Sequence, residues 1–117
     1  MNVISCRNLA KVVLYEGSMD SNFESKIADF KEMSIAFIQF IYTGNDNITP
    51  QIQLWVSIDD KDLTFAYLPD STQNLVADNQ SVCWNISSIG WRFLKVKFTA
   101  NTNLNGTCRI LAVGKKV

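Results

Sequence analysis

Residues 51–58 read Gln-Ile-Gln-Leu-Trp-Val-Ser-Ile, and this alternation decides the fold class. Four apolar side chains fall on every second position, so they share one face of an extended chain. They are Ile52, Leu54, Val56 and Ile58. The residues between them, Gln53, Trp55 and Ser57, share the other face. A period of two over eight residues predicts a β-strand with one face against the core.

The same period recurs along the chain. In residues 92–99, Leu94, Val96 and Phe98 are predicted to point inward, while Lys95 and Lys97 point to water. Short β-branched and aromatic segments separated by Gly, Asn, Asp and Ser indicate further strands. The predicted strands cover residues 9–15, 26–30, 34–42, 51–58, 63–68, 81–86, 92–99 and 107–113.

One segment could instead be helical. In residues 22–32, Phe23, Ile27 and Phe30 are spaced by four and three, which is the spacing of one helix face. Three apolar positions in this segment are weak support, so the helix stays open beside a strand at residues 26–30.

Turn signals complete the fold prediction. The segment Asp59-Asp60-Lys61-Asp62 separates two predicted strands by four residues, a length that hairpin loops use. Asn105-Gly106 is the strongest short sequence signal for a hairpin turn. The polar connection 69–80 is predicted to cross between sheets. Residues 1–117 are therefore predicted to form a single antiparallel β-sandwich domain, jelly-roll-like or immunoglobulin-like, with seven or eight strands and at most one short helix.

Composition excludes several function classes. The chain has 117 residues, 47% of them hydrophobic, with 11 basic and 11 acidic side chains. This neutral balance lacks the basic surface that nucleic-acid binding needs, and no apolar run is long enough to span a bilayer. No secretory signal is apparent at the start of the sequence. The sequence contains no histidine, which removes the commonest catalytic base and metal ligand. We expect no catalytic residues, no enzyme activity, no cofactor, no nucleic-acid partner and no membrane association.

The cysteines and acidic residues give no metal site. The chain has an odd number of cysteines, Cys6, Cys83 and Cys108, and none of them has Cys-x-x-Cys spacing. Reduced thiols are therefore expected, with Cys83 and Cys108 half-buried. The aspartates of the 59–62 turn lack the ligand spacing of a calcium loop. No metal is therefore expected.

Tryptophans raise the possibility of a sugar site, because sugars stack on flat exposed rings. Trp84 is in phase with Val82 and Ile86, which predicts a core position. Trp55 shares a face with polar residues and Trp91 follows Gly90, so these two are the candidates for ligand-facing aromatics. Protein–protein packing explains exposed aromatic residues equally well.

The segment 34–42 is unusual because both of its faces are apolar. Ala36, Ile38, Phe40 and Tyr42 form one face, which we assign inward. The second face, which Gln39 interrupts, consists of Ile35, Phe37, Gln39 and Ile41. An outer sheet face is normally polar, so this second face predicts contact with another subunit; cover by a helix at residues 22–32 is the alternative.

The C-terminal third resembles a known family. Ile89-Gly90-Trp91-Arg92-Phe93-Leu94-Lys95-Val96 is followed by Gly106-Thr107 and, at the end of the next strand, by Gly114-Lys115. This pattern is similar to the closing strands of small β-sandwich virion proteins of tailed bacteriophages, of the head decoration and fibre-base type. The resemblance covers residues 81–116 and implies a non-enzymatic structural subunit, commonly a trimer, attached to a capsid or tail. It also implies synthesis in the host cytoplasm, localisation in the virion and other virion proteins as partners.

Two functional hypotheses therefore lead. The first is a virion structural protein, a capsid decoration or fibre- or tail-attached subunit that acts through protein–protein contacts and forms a homo-oligomer, with a trimer favoured. The second is a carbohydrate- or receptor-binding β-sandwich module, which a groove flanked by exposed Trp55 and Trp91 would favour.

Overall fold

The computed structural model describes residues 3–44, 50–59, 61, 64–75, 81–100 and 106–117. All regular structure in these residues is β-strand apart from a single 3₁₀ position at Thr64. In chain order the strands are β1 (Val3–Ser5), β2 (Val12–Ser18), β3 (Phe23–Glu24), β4 (Ile27–Asp29), β5 (Ile35–Thr43), β6 (Gln51–Ser57), β7 (Ala66–Tyr67), β8 (Gln73–Asn74), β9 (Ser81–Ile86), β10 (Phe93–Thr99) and β11 (Thr107–Lys115). Each of the eight predicted segments overlaps one of these strands, so the all-β prediction is confirmed.

The strands form two sheets. The larger sheet has the order β1-β4-β10-β6-β7, with β3 also paired to β10 and β8 paired to β6. The four-stranded sheet has the order β2-β11-β5-β9. All pairings are antiparallel except that of β1 with β4, which is parallel.

The path of the chain between the sheets identifies the type of sandwich. The main strands β2, β4, β5 and β6 alternate between the two sheets, and β9, β10 and β11 alternate again. Early strands pair with late ones: β2 and β5 flank β11, while β4 and β6 flank β10. Strands wound in this nested way between a seven-stranded and a four-stranded sheet form a jelly roll, which resolves the choice that the sequence left open.

One open choice is resolved and one turn prediction is wrong. Residues 22–32 contain β3 and β4 and no helix, so the strand predicted at residues 26–30 is confirmed; Phe23 pairs with β10 and Ile27 with β1. Asn105 of the predicted Asn105-Gly106 hairpin lies outside the described residues, but the strands on either side do not pair with each other, since β10 lies in the larger sheet and β11 in the smaller. The 59–62 turn does lie between antiparallel partners, because β6 pairs with β7.

The main core lies between the sheets. From the smaller sheet, Ile38 and Phe40 of β5 are fully buried, as predicted. From the larger sheet, Leu94, Val96 and Phe98 of β10 face them, also as predicted. The rings of Phe40 and Phe98 stack across the gap, with centroids 6.0 Å apart. Side chains from the two layers thus interdigitate, as sandwich packing requires.

Some predicted exposures were wrong. Lys95 is 5% exposed rather than pointing to water, and Ile58, beyond the end of β6, is 79% exposed rather than buried. Cys108 is buried in the main core, while Cys83 is exposed, so neither is half-buried. All three thiols are free in the structure.

Candidate functional site

The outward face of β5 carries the four residues predicted to contact another subunit. Their partners across the ladders are Lys115, Val113, Leu111 and Arg109 of β11, in register with Ile35, Phe37, Gln39 and Ile41. Leu111 is in turn opposite Val13 of β2. Because directly opposite residues share a face, these strands form one continuous apolar surface. We call it the apolar face and define it as Val13, Ile35, Phe37, Gln39, Ile41, Leu111 and Val113.

The apolar face has an exposed aromatic ring and a polar border. Phe37 is 37% exposed, whereas its neighbours in sequence Ala36 and Ile38 are fully buried. A shallow depression of about 110 Å³ lies beside it, lined by Lys11, Gln39, Leu111 and Val113 among others. Arg109 at one end of the face lies 3.9 Å from Glu16, and Lys115 marks the other end.

Gln39 is the one polar member of the apolar face. Its Nε2 donates a hydrogen bond of 2.8 Å to Ser81 Oγ in the neighbouring β9. This bond satisfies one N–H of the amide without a charged group. The surface therefore has an apolar centre and a charged border, with Lys11 beside the depression and Arg109 and Lys115 near the ends, as protein interfaces commonly do.

The opposite surface, on the outside of the larger sheet, has a second, smaller apolar cluster. Ile27, Phe65 and Phe93 are buried there, and Trp55 packs against them. We call these four residues the outer cluster. The chain between β6 and β7 folds Phe65 over the sheet, so this layer covers Lys95, whose ammonium lies 4.7 Å from the Phe65 ring centre.

Trp55 lies at the centre of a polar and aromatic arrangement on the same surface. The Lys97 ammonium lies 3.7 Å from its ring centre, a cation–π contact that covers one face of the indole. Its Nε1 donates to Gln53 Oε1 at 3.2 Å, and Gln53 Nε2 donates to Thr72 Oγ1 at 3.2 Å. The Thr72 hydroxyl is 2.8 Å from the Tyr67 hydroxyl.

Tyr67 presents the more open ring of this group. It is 37% exposed and lies across the ladder from Trp55, with ring centroids 6.0 Å apart and planes inclined by 60°. The hydrogen bond with Thr72 lowers the pKa of its phenol below the ordinary value. The two rings therefore form an angled aromatic pair held by a chain of hydrogen bonds.

Trp91, the second tryptophan predicted to face a ligand, lies elsewhere. Its ring contacts Phe30 edge-on, with centroids 5.6 Å apart, and packs against the main core. The structure thus places Trp55 and Trp91 against different clusters. Trp84 is 8% exposed and belongs to the main core, as predicted.

The structure adds residues that the sequence analysis missed. Val13, Leu111 and Val113 join the apolar face, and the out-of-phase apolar positions of 107–113 were a signal for two of them. Tyr67, Gln53 and Thr72 join Trp55 through contacts between separate segments, for which the sequence offers no local signal.

No metal site is apparent in the part of the chain that the structure describes, since no group of three or more Cys, Asp or Glu side chains is suitably placed there. Asp60 and Asp62 of the predicted turn lie outside the described residues. Within the described ranges, no helix is long and apolar enough to cross a membrane.

Comparisons show what this fold resembles. The sequence matches no protein-family model and no curated protein. One solved structure with a similar fold is the enzymatically active domain of tailspike protein 4 from bacteriophage CBA120, with a TM-score of 0.55 and 12% identity. That match covers 80% of this chain but only 13% of the tailspike chain. Another is the SPBc2 prophage-derived protein YomS, with a TM-score of 0.52 and 10% identity over 88% of this chain and 91% of YomS. The chain therefore shares a β-fold with phage-related proteins.

Proposed function

We propose that this protein is a non-enzymatic structural subunit of a phage virion, a capsid decoration or fibre- or tail-attached protein that assembles through the apolar face. The observation that carries the proposal is the continuous apolar surface around Phe37 on the outside of the smaller sheet. An outer sheet face in contact with water is normally polar.

Self-association explains this surface better than exposure does. A contiguous apolar patch on a free subunit promotes nonspecific association, whereas burial against a second subunit stabilises a defined assembly. Each square ångström of apolar surface removed from water contributes about 25 cal/mol, so burial of Phe37 and the partly exposed side chains around it favours association. The Gln39–Ser81 hydrogen bond lowers the cost of burying the amide, because one of its N–H groups is already bonded within the subunit.

Two further points support a role in the virion. The fold is shared with a bacteriophage tailspike domain and with a prophage-derived protein. The sequence of residues 81–116 resembles the closing strands of small virion β-sandwich proteins, which are commonly trimeric and made in the host cytoplasm. The lack of histidine in the whole chain supports a non-enzymatic role, because acyl-transfer and many metal-dependent mechanisms depend on this residue.

The experiment compares three aspartate variants by light scattering and circular dichroism. We expect Phe37→Asp to remain folded with a smaller mass than the wild-type oligomer; the apolar-face contact alone predicts three times the chain mass. Phe40→Asp should fail to fold, because it buries an unpaired charge in the core. Tyr67→Asp is the matched control, since Tyr67 has the same 37% exposure on the opposite surface, and it should keep the wild-type mass. If Phe37→Asp keeps both its fold and the wild-type mass, the apolar face is not an interface and the proposal is wrong.

A second candidate function is saccharide binding at the outside of the larger sheet. The angled Trp55–Tyr67 pair and the hydrogen bonds through Gln53 and Thr72 favour it, because sugars bind stacked on rings with polar groups at the edge. Lys97 covers one face of Trp55, so the ring available for stacking is Tyr67.

Tryptophan fluorescence titrated with soluble glucose and N-acetylglucosamine oligosaccharides tests this candidate. We expect saturable binding that Tyr67→Ala weakens at least tenfold and that Phe37→Ala leaves unchanged. If Tyr67→Ala and the wild type bind equally, or neither responds to the oligosaccharides, this candidate is wrong.

A further inference from the structure

β9 ends the smaller sheet, and its outer edge is open among the described residues. Its six residues pair with β5 in an uninterrupted register from Ala36↔Ile86 to Ile41↔Ser81, and the described strands include no partner on its other side. A strand in this position presents a row of backbone N–H and C=O groups that can pair with another extended chain.

The other edge of the same sheet, β2, is protected. Its register with β11 shifts at Ile110 and Leu111, which is a β-bulge or similar irregularity. It carries Glu16, and the Leu14 carbonyl accepts a hydrogen bond of 2.9 Å from the Lys26 backbone N–H. Bulges, charges and covering chain are the usual means of preventing edge-to-edge pairing. β9 has no charged residue, no proline and no register shift.

The sequence of β9 is compatible with antiparallel pairing to the β9 strand of a second copy of the chain. Antiparallel pairing about Cys83 places Ser81 opposite Asn85 of the other copy and Cys83 opposite its own counterpart. Ser81, Cys83 and Asn85 are exposed and uncharged, so no like charges meet across this pairing. Val82 and Ile86 are half-buried, and a neighbouring strand would cover them further. A strand that pairs with itself by a two-fold axis forms a closed, self-complementary contact.

We infer that two copies of this chain join through antiparallel pairing of their β9 strands, centred on Cys83. The two smaller sheets then form one continuous eight-stranded sheet. This contact lies at the edge of the sheet and is geometrically distinct from burial of the apolar face. Because Cys83 lies opposite Gln39 on the same side of the sheet, disulfide trapping rather than mass alone separates the two contacts. If both contacts form, the apolar face of one copy continues onto the next across β9.

Charge substitutions at Cys83 test the contact. Cys83→Lys and Cys83→Glu each place two like charges opposite one another in the proposed pairing, whereas Cys83→Ser is the neutral control. We expect each charged variant to have half the mass of Cys83→Ser by light scattering. An equimolar mixture of the Lys and Glu variants should recover the full mass, because opposite charges then meet. If Cys83→Lys and Cys83→Ser have equal masses, the β9 contact does not exist.

Disulfide trapping tests the register. In antiparallel strands, opposite Cα atoms are about 4.5–5.5 Å apart, within the range that a disulfide spans. Diamide takes two electrons and two protons from a pair of Cys83 thiols and is reduced to the hydrazine, so the wild type should give a Cys83–Cys83 dimer. The control is Cys83→Ser with Asn85→Cys, which moves the thiols about 13 Å apart in this register. We expect this control to cross-link at least tenfold more slowly. Equal rates would mean random collision and would overturn the register.

The two proposals fail separately. A lower mass for Phe37→Asp with no effect of Cys83→Lys would retain the apolar-face assembly and refute the β9 pairing. A lower mass for Cys83→Lys with no effect of Phe37→Asp would retain the β9 pairing and refute the apolar-face assembly. A wild-type protein that is monomeric at all concentrations, and that pairs only with a foreign strand, refutes the β9 contact between copies.

Discussion

The ammonium of Lys95 lies 2.7 Å from Glu24 Oε1 in an ion pair between β10 and β3. The Lys95 side chain is 6% exposed and the Glu24 side chain 52% exposed, so the pair joins a buried cation to a half-exposed carboxylate. The cation lies under Phe65, in the layer that covers the outside of the larger sheet. The hydrogen bond from Lys95 lowers the pKa of Glu24 below its ordinary value.

This pair predicts a pH-dependent contribution to stability. Because the folded-state pKa of Glu24 is below the unfolded one, the contribution is present above about pH 4.5 and is lost as pH falls through the folded pKa. Glu24→Gln should lower the free energy of unfolding near neutral pH by roughly 1 kcal/mol, since solvent screens the exposed carboxylate. The melting-temperature difference from wild type should shrink as pH falls below 4.5. Glu32→Gln, at an exposed position, is the control. A difference that stays constant with pH would contradict this role for the pair.

A second prediction concerns Gly106, which precedes β11. Its φ is +133°, and a Cβ added there would lie 2.2 Å from the backbone oxygen of Thr43. Gly106→Ala should therefore destabilise the protein by roughly 2–3 kcal/mol in chemical denaturation, since backbone must move to relieve the contact. Gly90→Ala is the matched control, because a Cβ there has no atom within 4 Å. Equal denaturation midpoints for Gly106→Ala and Gly90→Ala would contradict this prediction, because the backbone around residue 106 would then accommodate a methyl group.

Periodicity predicted the layers of the sandwich because the strand pattern is local. Ile38 and Phe40 face the core, and the alternation of β5 showed which of its two apolar faces turns inward, since Gln39 marks the other. The apolar face could be predicted for the same reason. Its extension to Val13 depends on the pairing of β2 with β11, which local pattern does not encode.

The errors arose where distant segments determine the outcome. Phe23 stacks on Tyr15 with centroids 3.7 Å apart and on Phe98 at 4.8 Å, so contacts from two other strands hold residues 23–24 extended against a weak helical spacing. Lys95 has the sequence pattern of a solvent-facing residue. It is buried because Phe65, thirty residues earlier, folds over it, and this cover could not be inferred from strand alternation.

Thiol reactivity should differ sharply among the three cysteines. Burial raises the pKa of Cys6 and of Cys108 to about 12, whereas Cys83 is exposed on β9. Iodoacetamide under native conditions should therefore alkylate Cys83 first, with Cys6 and Cys108 modified only after unfolding, as peptide mass spectrometry can measure. Reductant should leave the melting temperature unchanged, because all three thiols are free. Early alkylation of Cys108 would mean that this buried residue of β11 becomes accessible to the reagent without global unfolding.

The last prediction concerns Trp84, which links the two sheets at the β9 edge. Its Nε1 donates a hydrogen bond of 2.7 Å to the backbone oxygen of Ser71, in the chain between β7 and β8 of the larger sheet. The Ser71 residue is 2% exposed, and its Oγ accepts a bond from the Leu54 backbone N–H, so Trp84 anchors a buried loop onto β6.

Trp84→Phe keeps an aromatic ring but removes the donor and leaves a small void. Together these should cost roughly 2 kcal/mol of unfolding free energy and several degrees of melting temperature. Trp91→Phe is the matched control, because Trp91 is half-buried and contacts Phe30 through its ring edge. We expect it to lose less than half as much stability. Equal losses would show that ring volume, rather than the hydrogen bond between the sheets, accounts for the contribution of Trp84.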